Sequence, residues 1–315
     1  MQVPDTENEA TDPIWTHGAQ ARRAAAGVCI SAARRVGLPT SDVRWLRLGE
    51  RAVLSLDSGR IIVRIERPDV PVGDVAYEIA IATWLATNGV SVSAPLEVDQ
   101  PVKICGLLVT FWGGTTGTPV AMAELGRALR AMHDLVPPAK LARPARPFDR
   151  LQRRIDRATS LTATDRVTLG EAVRESRARW AELVPRTTTP GFLHGDATPD
   201  NVLTGTNGPV VVDLEYSGWG PREWDLTHLA SRYDDGLITT DQYTEFCRTY
   251  GQDVRTAQCY AVLRQVRRLR ELTGMLQNPG PAGSATVTDV MCAIAGLHAE
   301  PAPDTPSTRR PGGRW

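Results

Sequence analysis

The chain has 315 residues and carries 36 basic and 36 acidic side chains, so its formal net charge at pH 7 is zero. This length allows a sizeable core divided between two unequal parts, and the balanced charge excludes the global positive field that collects nucleic acid or anionic membranes. The five cysteines are scattered without close pairs, which favours a reducing compartment over a disulfide framework or a zinc site. We therefore expect a cytoplasmic protein that acts on a small molecule, with no nucleic-acid or membrane partner.

The first predicted elements form a helix and a small sheet. An alanine-rich helical pattern covers residues 19–36. Runs rich in β-branched residues predict strands at 43–48, 52–56 and 61–65, and a helix at 75–88 separates them from two further strands at 94–98 and 106–111. The N-terminal part is therefore predicted to be a sheet with one main helix and a leading helix.

Beyond Gly113 the pattern becomes mainly helical. Amphipathic spacing predicts helices at 122–135, 147–157, 164–183, 240–250 and 256–277. Because the strands and helices are segregated along the chain, the sequence predicts an α+β fold. We assign residues 14–112 to an N-terminal lobe and 113–298 to a C-terminal lobe, with polar, disordered tails at 1–13 and 299–315.

A polar loop and a following strand carry the residues most suited to chemistry. His194-Gly195-Asp196 is followed five residues later by Asn201, and a predicted strand at 209–215 ends on the acids Asp213 and Glu215. Phosphoryl transfer needs a carboxylate near the attacking hydroxyl and oxygen ligands that hold Mg²⁺ against the phosphates. Asp196 suits the first task, and Asn201 and Asp213 suit the second.

The pattern H-G-D, four residues, then N resembles the catalytic loop of the aminoglycoside phosphotransferase family, a choline kinase-like branch of the protein-kinase-like superfamily. The resemblance implies a two-lobed kinase-like fold that uses ATP and Mg²⁺, with Asp196 as catalytic base and Asn201 and Asp213 as metal ligands. It also implies that His194 is an internal strut of the loop. Whether Glu215 touches the metal is left open.

The same resemblance implies a nucleotide site in the N-terminal lobe. Arg64 takes the place of the usual strand lysine, and Glu78, on the more polar stripe of the following helix, is its expected partner. The phosphate loop has a single glycine, Gly49, so we expect backbone N–H groups to cover the phosphates. Thr110 and Trp112 fall at the expected hinge beside adenine.

Several charged side chains remain to be placed. We expect Asp225 to tie down the catalytic loop and His133 to be a packing residue. The arginine-rich run at 264–271 has the pattern of a solvated helix face, with the lining of the acceptor pocket as the alternative. A group of acids suits either a pocket for a cationic acceptor or ordinary surface: Asp234, Asp235, Asp241 and Glu245.

Three functions remain open on the sequence. The short segment between Asp213 and Asp225 leaves little room to dock a peptide, which favours a small-molecule hydroxyl acceptor. The resemblance suggests an aminoglycoside or a related antibiotic, and hence antibiotic resistance. The alternatives are a metabolite kinase of the choline, homoserine or ketosamine type, and a nucleotide-binding pseudokinase or regulatory module, which the single-glycine loop and Arg64 motivate.

Overall fold

The computed structural model describes residues 12–15, 18–115, 117–206 and 208–276. Their packing divides the chain into two compact units, one of Met1–Pro147 with Arg179–Arg267 and the other of Phe148–Ala178 with Arg268–Trp315. The predicted tails fall outside the described residues apart from Asp12 and Pro13, which begin a short 3-10 helix. The assignment of lobes at 14–112 and 113–298 stays a prediction.

The first unit opens with an antiparallel sheet of five strands in the order β1-β2-β3-β5-β4. The strands are β1 Arg44–Leu48, β2 Ala52–Leu56, β3 Ile61–Ile65, β4 Val102–Ile104 and β5 Leu107–Gly113. In the register, Arg64 lies between Val53 on β2 and Thr110 on β5. Because side chains alternate between the two faces of a strand, Arg64 lies on the face opposite to Val63 and Ile65.

Two helices accompany the sheet. Helix α1, Ala19–Arg35, buries a stripe that includes Ala25, Cys29 and Ala32, and these side chains belong to the same apolar core as Val63 of β3. Helix α2, Val72–Thr87, follows β3 and buries residues spaced three or four apart, which is the spacing of a helix with one apolar face. The core therefore combines α1 with one face of the sheet.

One predicted strand is wrong. Residues 94–98 form no strand, although Pro95 bridges to Trp112 and the N–H of Leu96 donates to the carbonyl of Phe111 at 2.9 Å. Pro95 has no N–H for a ladder, so only an isolated bridge forms there. Beside β5, the edge strand of the sheet is β4 instead, so the predicted order of strands and helix is kept with a different segment.

The rest of the described chain is mainly helical, as predicted. Its helices are α3 Met122–His133, α4 Leu151–Arg157, α5 Ala163–Thr187, α6 Glu223–Asp234, α7 Thr240–Tyr250 and α8 Tyr260–Met275. Two antiparallel pairs of short strands lie between α5 and α6: β6 Pro190–Leu193 with β9 Gly218–Pro221, and β7 Val202–Gly205 with β8 Gly208–Val211. The α+β prediction is confirmed.

The helix boundaries differ from the predicted ones for local reasons. Helix α4 begins at Leu151 rather than at residue 147, because Arg150 takes a left-handed conformation with φ 66°. Helix α8 begins at Tyr260 rather than at 256, because Ala257 is extended. The predicted end of that helix at Gln277 lies outside the described residues, whereas α7 has the predicted bounds.

The second unit is held by arginine side chains that bind helix carbonyls. Arg166 on α5 donates to the main-chain carbonyls of Ile155 and Ala158 at the end of α4. Arg154 on α4 donates to the carbonyl of Arg270 at 3.4 Å. These contacts join arginine side chains to backbone carbonyls of neighbouring helices. None of the described helices is long and apolar enough to cross a membrane.

Candidate active site

The predicted catalytic loop follows strand β6, and its sharp turn depends on Gly195. Gly195 has φ +85°, and a Cβ atom there would lie 2.1 Å from the carbonyl oxygen of Tyr216. A side chain at this position would therefore clash with backbone, so the loop requires glycine. The turn leaves the next residue, Asp196, with a side chain that is 35% exposed.

Asp225 binds the loop from the first turn of α6. Its Oδ2 accepts a hydrogen bond from the N–H of His194 at 2.7 Å, and its Oδ1 accepts one from the N–H of Gly195 at 2.9 Å. His133 lies 3.0 Å from the same carboxylate through Nε2 and 2.7 Å from the Tyr250 hydroxyl through Nδ1. Both expectations are confirmed, since Asp225 ties down the loop and His133 is fully buried.

The imidazole of His194 connects the loop to the strand that leads to Asp213. Its Nδ1 accepts a hydrogen bond of 3.2 Å from the N–H of Asp196. The ring proton is therefore on Nε2, which donates to the carbonyl of Val212 at 2.9 Å. The N–H of Val212 in turn donates to the carbonyl of Asn201 at 2.9 Å. These bonds bring Asp196, Asn201 and Asp213 to one place, and His194 is the predicted internal strut.

Each of the two predicted metal ligands is held by its surroundings. Asn201 donates from Nδ2 to the carbonyl of Asp196 at 2.8 Å, so its amide oxygen is the side-chain atom that could bind a cation. Asp213 has φ 63° and ψ 61°, a left-handed conformation that is unusual for aspartate. Such strain persists where the surrounding structure imposes it, and it is common at functional sites.

Arginines from the N-terminal sheet approach Asp213. Burial alone would raise the pKa of this carboxyl, but Arg51, Arg64 and Arg47 lower it to about 2. Arg47 donates to Oδ2 at 3.2 Å. Among the described residues Oδ1 accepts no hydrogen bond, although Arg51 Nη2 lies 3.8 Å away. A partly buried, ionised carboxylate and the amide oxygen of Asn201 are both oxygen ligands of the kind that a hard divalent cation takes.

Arg64 and Glu78, the predicted nucleotide pair, are in contact. Arg64 Nη1 donates to Glu78 Oε1 at 2.6 Å, and the guanidinium lies 4.3 Å from the centre of the Trp112 ring. Thr110 accepts a bond of 2.8 Å from the Trp112 indole N–H, and the side chains of both residues are buried. Their role beside a nucleotide stays a prediction.

The expected position of Glu78 on the polar stripe of α2 is wrong. Glu78 is 4% exposed and lies on the buried stripe with Val75, Ile81 and Leu85. A carboxylate in an apolar stripe requires a cation, and Arg64 supplies it. Arg64 and Glu78 are both buried, so neither is an ordinary surface charge.

The central position of Arg51 was not predicted from the sequence. Its guanidinium lies 3.1 Å from Glu78, 3.5 Å from Glu66 and 2.6 Å from Glu215, and the side chain is 5% exposed. Burial raises the pKa of Glu66 to about 7, although the nearby guanidinium of Arg51 acts to lower it. An arginine after a glycine in a loop carries no pattern from which these contacts could be predicted.

The loop around Gly49, which we predicted to cover the phosphates, is a tight turn between β1 and β2. The N–H of Gly49 donates to the carbonyl of Arg51 at 3.0 Å, and the Gly49 carbonyl accepts from Arg67 at 3.1 Å. Gly49 is therefore engaged by its own lobe, and its contact with phosphates stays a prediction.

The arginine-rich run on α8 is not a solvated face. Arg267 is 2% exposed and donates from Nη1 to Asp196 Oδ1 at 2.9 Å. His228 on α6 is also in this environment, where burial and the charge of Arg267 lower its pKa far below the usual value. The predominant interpretation of the run was wrong for Arg267, because helical spacing alone does not say which face meets another element.

Two of the four acids considered for a cationic acceptor are paired with arginines. Asp234 lies 2.8 Å from Arg255 and accepts a bond of 2.6 Å from the Tyr260 hydroxyl. Asp235 pairs with Arg264 at 2.9 Å. Asp241 and Glu245 are exposed on α7. The two acids nearest to α8 are therefore already neutralised by arginines.

Comparison with known proteins gives a family model and a set of folds. The model of the phosphotransferase enzyme family (APH) matches residues 47–267, more than half of the chain. None of the curated proteins compared with the sequence matches it.

Solved structures of kinases share the fold at low identity. Amicoumacin kinase hAmiN, in complex with AMP-PNP, Ca²⁺ and Ami, matches with a TM-score of 0.63 and 13% identity over 81% of this chain and 87% of its own. A microcompartment-associated aminopropanol kinase matches at 0.64 and 17%, over 86% and 94%. Choline kinase LicA from Streptococcus pneumoniae matches at 0.61 and 15%, over 86% and 98%. The predicted kinase-like fold is confirmed.

Proposed function

The chain belongs to the phosphotransferase enzyme family and is a small-molecule kinase with an alcohol group as acceptor, and we propose that Asp196 is its catalytic base. The Asp196 carboxylate accepts the proton of the acceptor hydroxyl while that oxygen forms a bond to the γ-phosphorus of ATP. The bond from phosphorus to the bridging oxygen breaks, and ADP leaves. Asp196 is suited to this task because its backbone is fixed by His194 and Asn201 while its side chain is partly exposed.

We assign Mg²⁺ to Asn201 and Asp213, and the nucleotide phosphates to Arg64 with Glu78 behind it. The observation that supports this most is the hydrogen-bond path from His194 through Val212 to Asn201, which joins the base and both metal ligands. When bound, the cation would reduce the negative charge of the phosphate oxygens. Gly49, Thr110 and Trp112 complete the proposed ATP site, and the complex of hAmiN with AMP-PNP and Ca²⁺ is consistent with a nucleotide and a divalent cation.

Two classes of acceptor are consistent with this chemistry. An aminoglycoside or related antibiotic is the class that the family suggests, and amicoumacin kinase hAmiN, which shares this fold, is solved in complex with Ami. The pairing of Asp234 with Arg255 and of Asp235 with Arg264 favours a second candidate, because it removes negative charge that a polycationic antibiotic would need. That candidate is a metabolite kinase for a hydroxyl compound with few positive charges, of the choline, homoserine or ketosamine type.

The experiment that tests the proposal is phosphate transfer from Mg²⁺-ATP to a panel of hydroxyl compounds. The panel contains aminoglycosides, spectinomycin, choline, aminopropanol, homoserine and a ketosamine, and mass spectrometry measures the gain of one phosphate. We expect transfer to at least one compound, and we expect Asp196→Ala to lower its turnover by about 10²- to 10⁴-fold.

Asp200→Ala is the matched control, since Asp200 is an exposed carboxylate on the same loop. It should keep wild-type turnover. Wild-type turnover in Asp196→Ala would refute the assignment of the base. A Mg²⁺-dependent rise in melting temperature with ATP, without transfer to any compound of the panel, would favour the pseudokinase alternative.

A further inference from the structure

Arg267 on α8 reaches the proposed base, and it is almost completely buried. Its Nη1 donates to Asp196 Oδ1 at 2.9 Å across 71 residues of sequence, with 2% of its side chain exposed. A buried guanidinium is stable only beside a counter-charge, and it stays protonated at any physiological pH. The ion pair therefore fixes the position of one carboxylate oxygen permanently.

Trp224 holds this arginine from the other side. The guanidinium carbon of Arg267 lies 4.5 Å from the centre of the Trp224 ring. The Trp224 indole N–H donates to the carbonyl of Gly195 at 3.0 Å, and Trp180 packs against the ring edge-on at 5.5 Å. One tryptophan thus contacts both the catalytic loop and the cation on its aspartate. A planar guanidinium can stack on the ring while it donates to the carboxylate, which a lysine ammonium cannot do.

The remaining donors of Arg267 argue against a purely structural role. Among the described residues, its Nε and Nη2 make no hydrogen bond although both are buried. Each buried donor without a partner costs about 1–3 kcal/mol of stability. An apolar side chain would fill this place at lower cost, so the arginine is explained by what it does to Asp196.

On the basis of the proposed function, we propose that Arg267 is a positioning residue that holds the Asp196 carboxylate in the orientation from which it accepts the acceptor proton. It acts through Asp196 and through the Trp224 platform, and it contacts neither the metal ligands nor the Arg64–Glu78 pair in the contacts described. Misplacing a base by about 1 Å can cost about 10²-fold in rate. Loss of Arg267 should therefore lower kcat while substrate binding is kept.

The test measures kcat and KM of Arg267→Met and Arg267→Lys with Mg²⁺-ATP and the panel compound that the wild-type enzyme phosphorylates fastest. We expect Arg267→Met to lower kcat by about 10- to 100-fold, with KM for ATP and for the acceptor within about threefold of wild type. Arg267→Lys keeps the charge without the planar stack, so its kcat should lie between those of Arg267→Met and the wild-type enzyme. Equal kcat in Arg267→Met and wild type would overturn the inference, as would a rise in KM without a fall in kcat.

A double-mutant cycle with Asp196→Asn separates positioning from a general effect on the fold. If Arg267 acts through Asp196, adding Arg267→Met to Asp196→Asn should change kcat by less than about threefold, because the group it positions is no longer a base. A full additional loss in the double variant would refute the proposal. If Asp196→Asn alone keeps wild-type turnover, the assignment of the base fails and the role of Arg267 fails with it. A low kcat in Asp196→Asn with a wild-type kcat in Arg267→Met refutes only the positioning role.

Arg130→Met is the matched control. Arg130 also combines a carboxylate and a ring, since its Nε lies 2.8 Å from Asp134 and its guanidinium lies over Tyr250, but its side chain is exposed. Its replacement should leave kcat unchanged. Arg267→Lys covers the case in which Arg267→Met does not fold, because a folded lysine variant with wild-type kcat would equally overturn the inference.

Discussion

Arg51 Nη2 donates a hydrogen bond of 2.6 Å to Glu215 Oε2, across 164 residues of sequence. The arginine lies in the loop immediately before β2, and the glutamate lies two residues beyond Asp213. Arg51 also contacts Glu78 through Nη1, so one guanidinium connects the α2 glutamate of the proposed nucleotide site with the acids of the proposed metal site. The local charge at this site therefore depends on Arg51 as much as on the acids themselves.

Removal of Arg51 should destabilise the protein strongly. In Arg51→Met, the carboxylates of Glu66, Glu78 and Glu215 lose a shared counter-ion in a buried place. Breaking a buried ion pair from one side costs about 3–5 kcal/mol, so we expect a decrease of that size in the free energy of unfolding measured in urea. Arg60→Met, which removes an exposed arginine paired with Asp57, is the control. It should change the free energy of unfolding by less than about 1 kcal/mol, as expected for a surface pair.

The same variant should respond differently to Mg²⁺. Acids without their arginine offer a stronger site for a cation, so Mg²⁺ should raise the melting temperature of Arg51→Met more than that of the wild-type protein. An equal response of the two proteins would contradict the view that Arg51 and the cation share the same acids.

Glu66 should make stability fall as the pH rises. Its pKa is raised by burial from 4.5 to about 7, so between these two values the folded protein binds a proton that the unfolded chain has released. Linkage then predicts that raising the pH across this window lowers the free energy of unfolding, by roughly 3 kcal/mol in total. Urea unfolding at a series of pH values measures this slope. Glu66→Gln should remove it, and an identical slope in the variant would count against the assignment.

Replacement of Asp225 should loosen the catalytic loop. Asn in its place has one acceptor oxygen instead of two, so the N–H of either His194 or Gly195 loses its partner. A buried donor without a partner costs about 1–3 kcal/mol, and we expect Asp225→Asn to lose at least that much stability and to lower kcat. Asp134→Asn is the control, because Asp134 is an exposed carboxylate paired with Arg130. Full activity and stability in Asp225→Asn would show that the loop does not need both bonds.

The Arg64–Glu78 pair should affect ATP binding before it affects the chemical step. Glu78→Gln removes the charge that holds Arg64, and Arg64→Lys keeps a cation without the stack on Trp112. We expect both to raise KM for ATP, by about tenfold for each 1.4 kcal/mol of lost binding. KM for the acceptor should stay near wild type. Exposed Glu97 provides the control Glu97→Gln, and a KM for ATP unchanged in all three variants would remove the pair from the nucleotide site.

Local sequence was enough for features whose parts lie close together in the chain. The strands at 52–56 and 61–65 were predicted with the bounds that the structure has, because β-branched runs and turn residues are local signals. The loop from His194 to Asn201 was predicted for the same reason, since its turn and its polar groups occupy eight consecutive positions. The predicted strand at 94–98 does not form, because Pro95 prevents the ladder of hydrogen bonds that the apolar residues around it suggest.

The sequence by itself determined the family pattern, the α+β class and the candidates Asp196, Asn201 and Asp213. Tertiary structure alone decided which arginines meet the acids: Arg51 reaches Glu215, and Arg267 reaches Asp196, over separations of 164 and 71 residues. The physical reason is that a charged side chain has no periodicity that reveals its partner. Its burial depends on which elements pack together, and only the folded chain supplies the counter-charge that makes such burial stable.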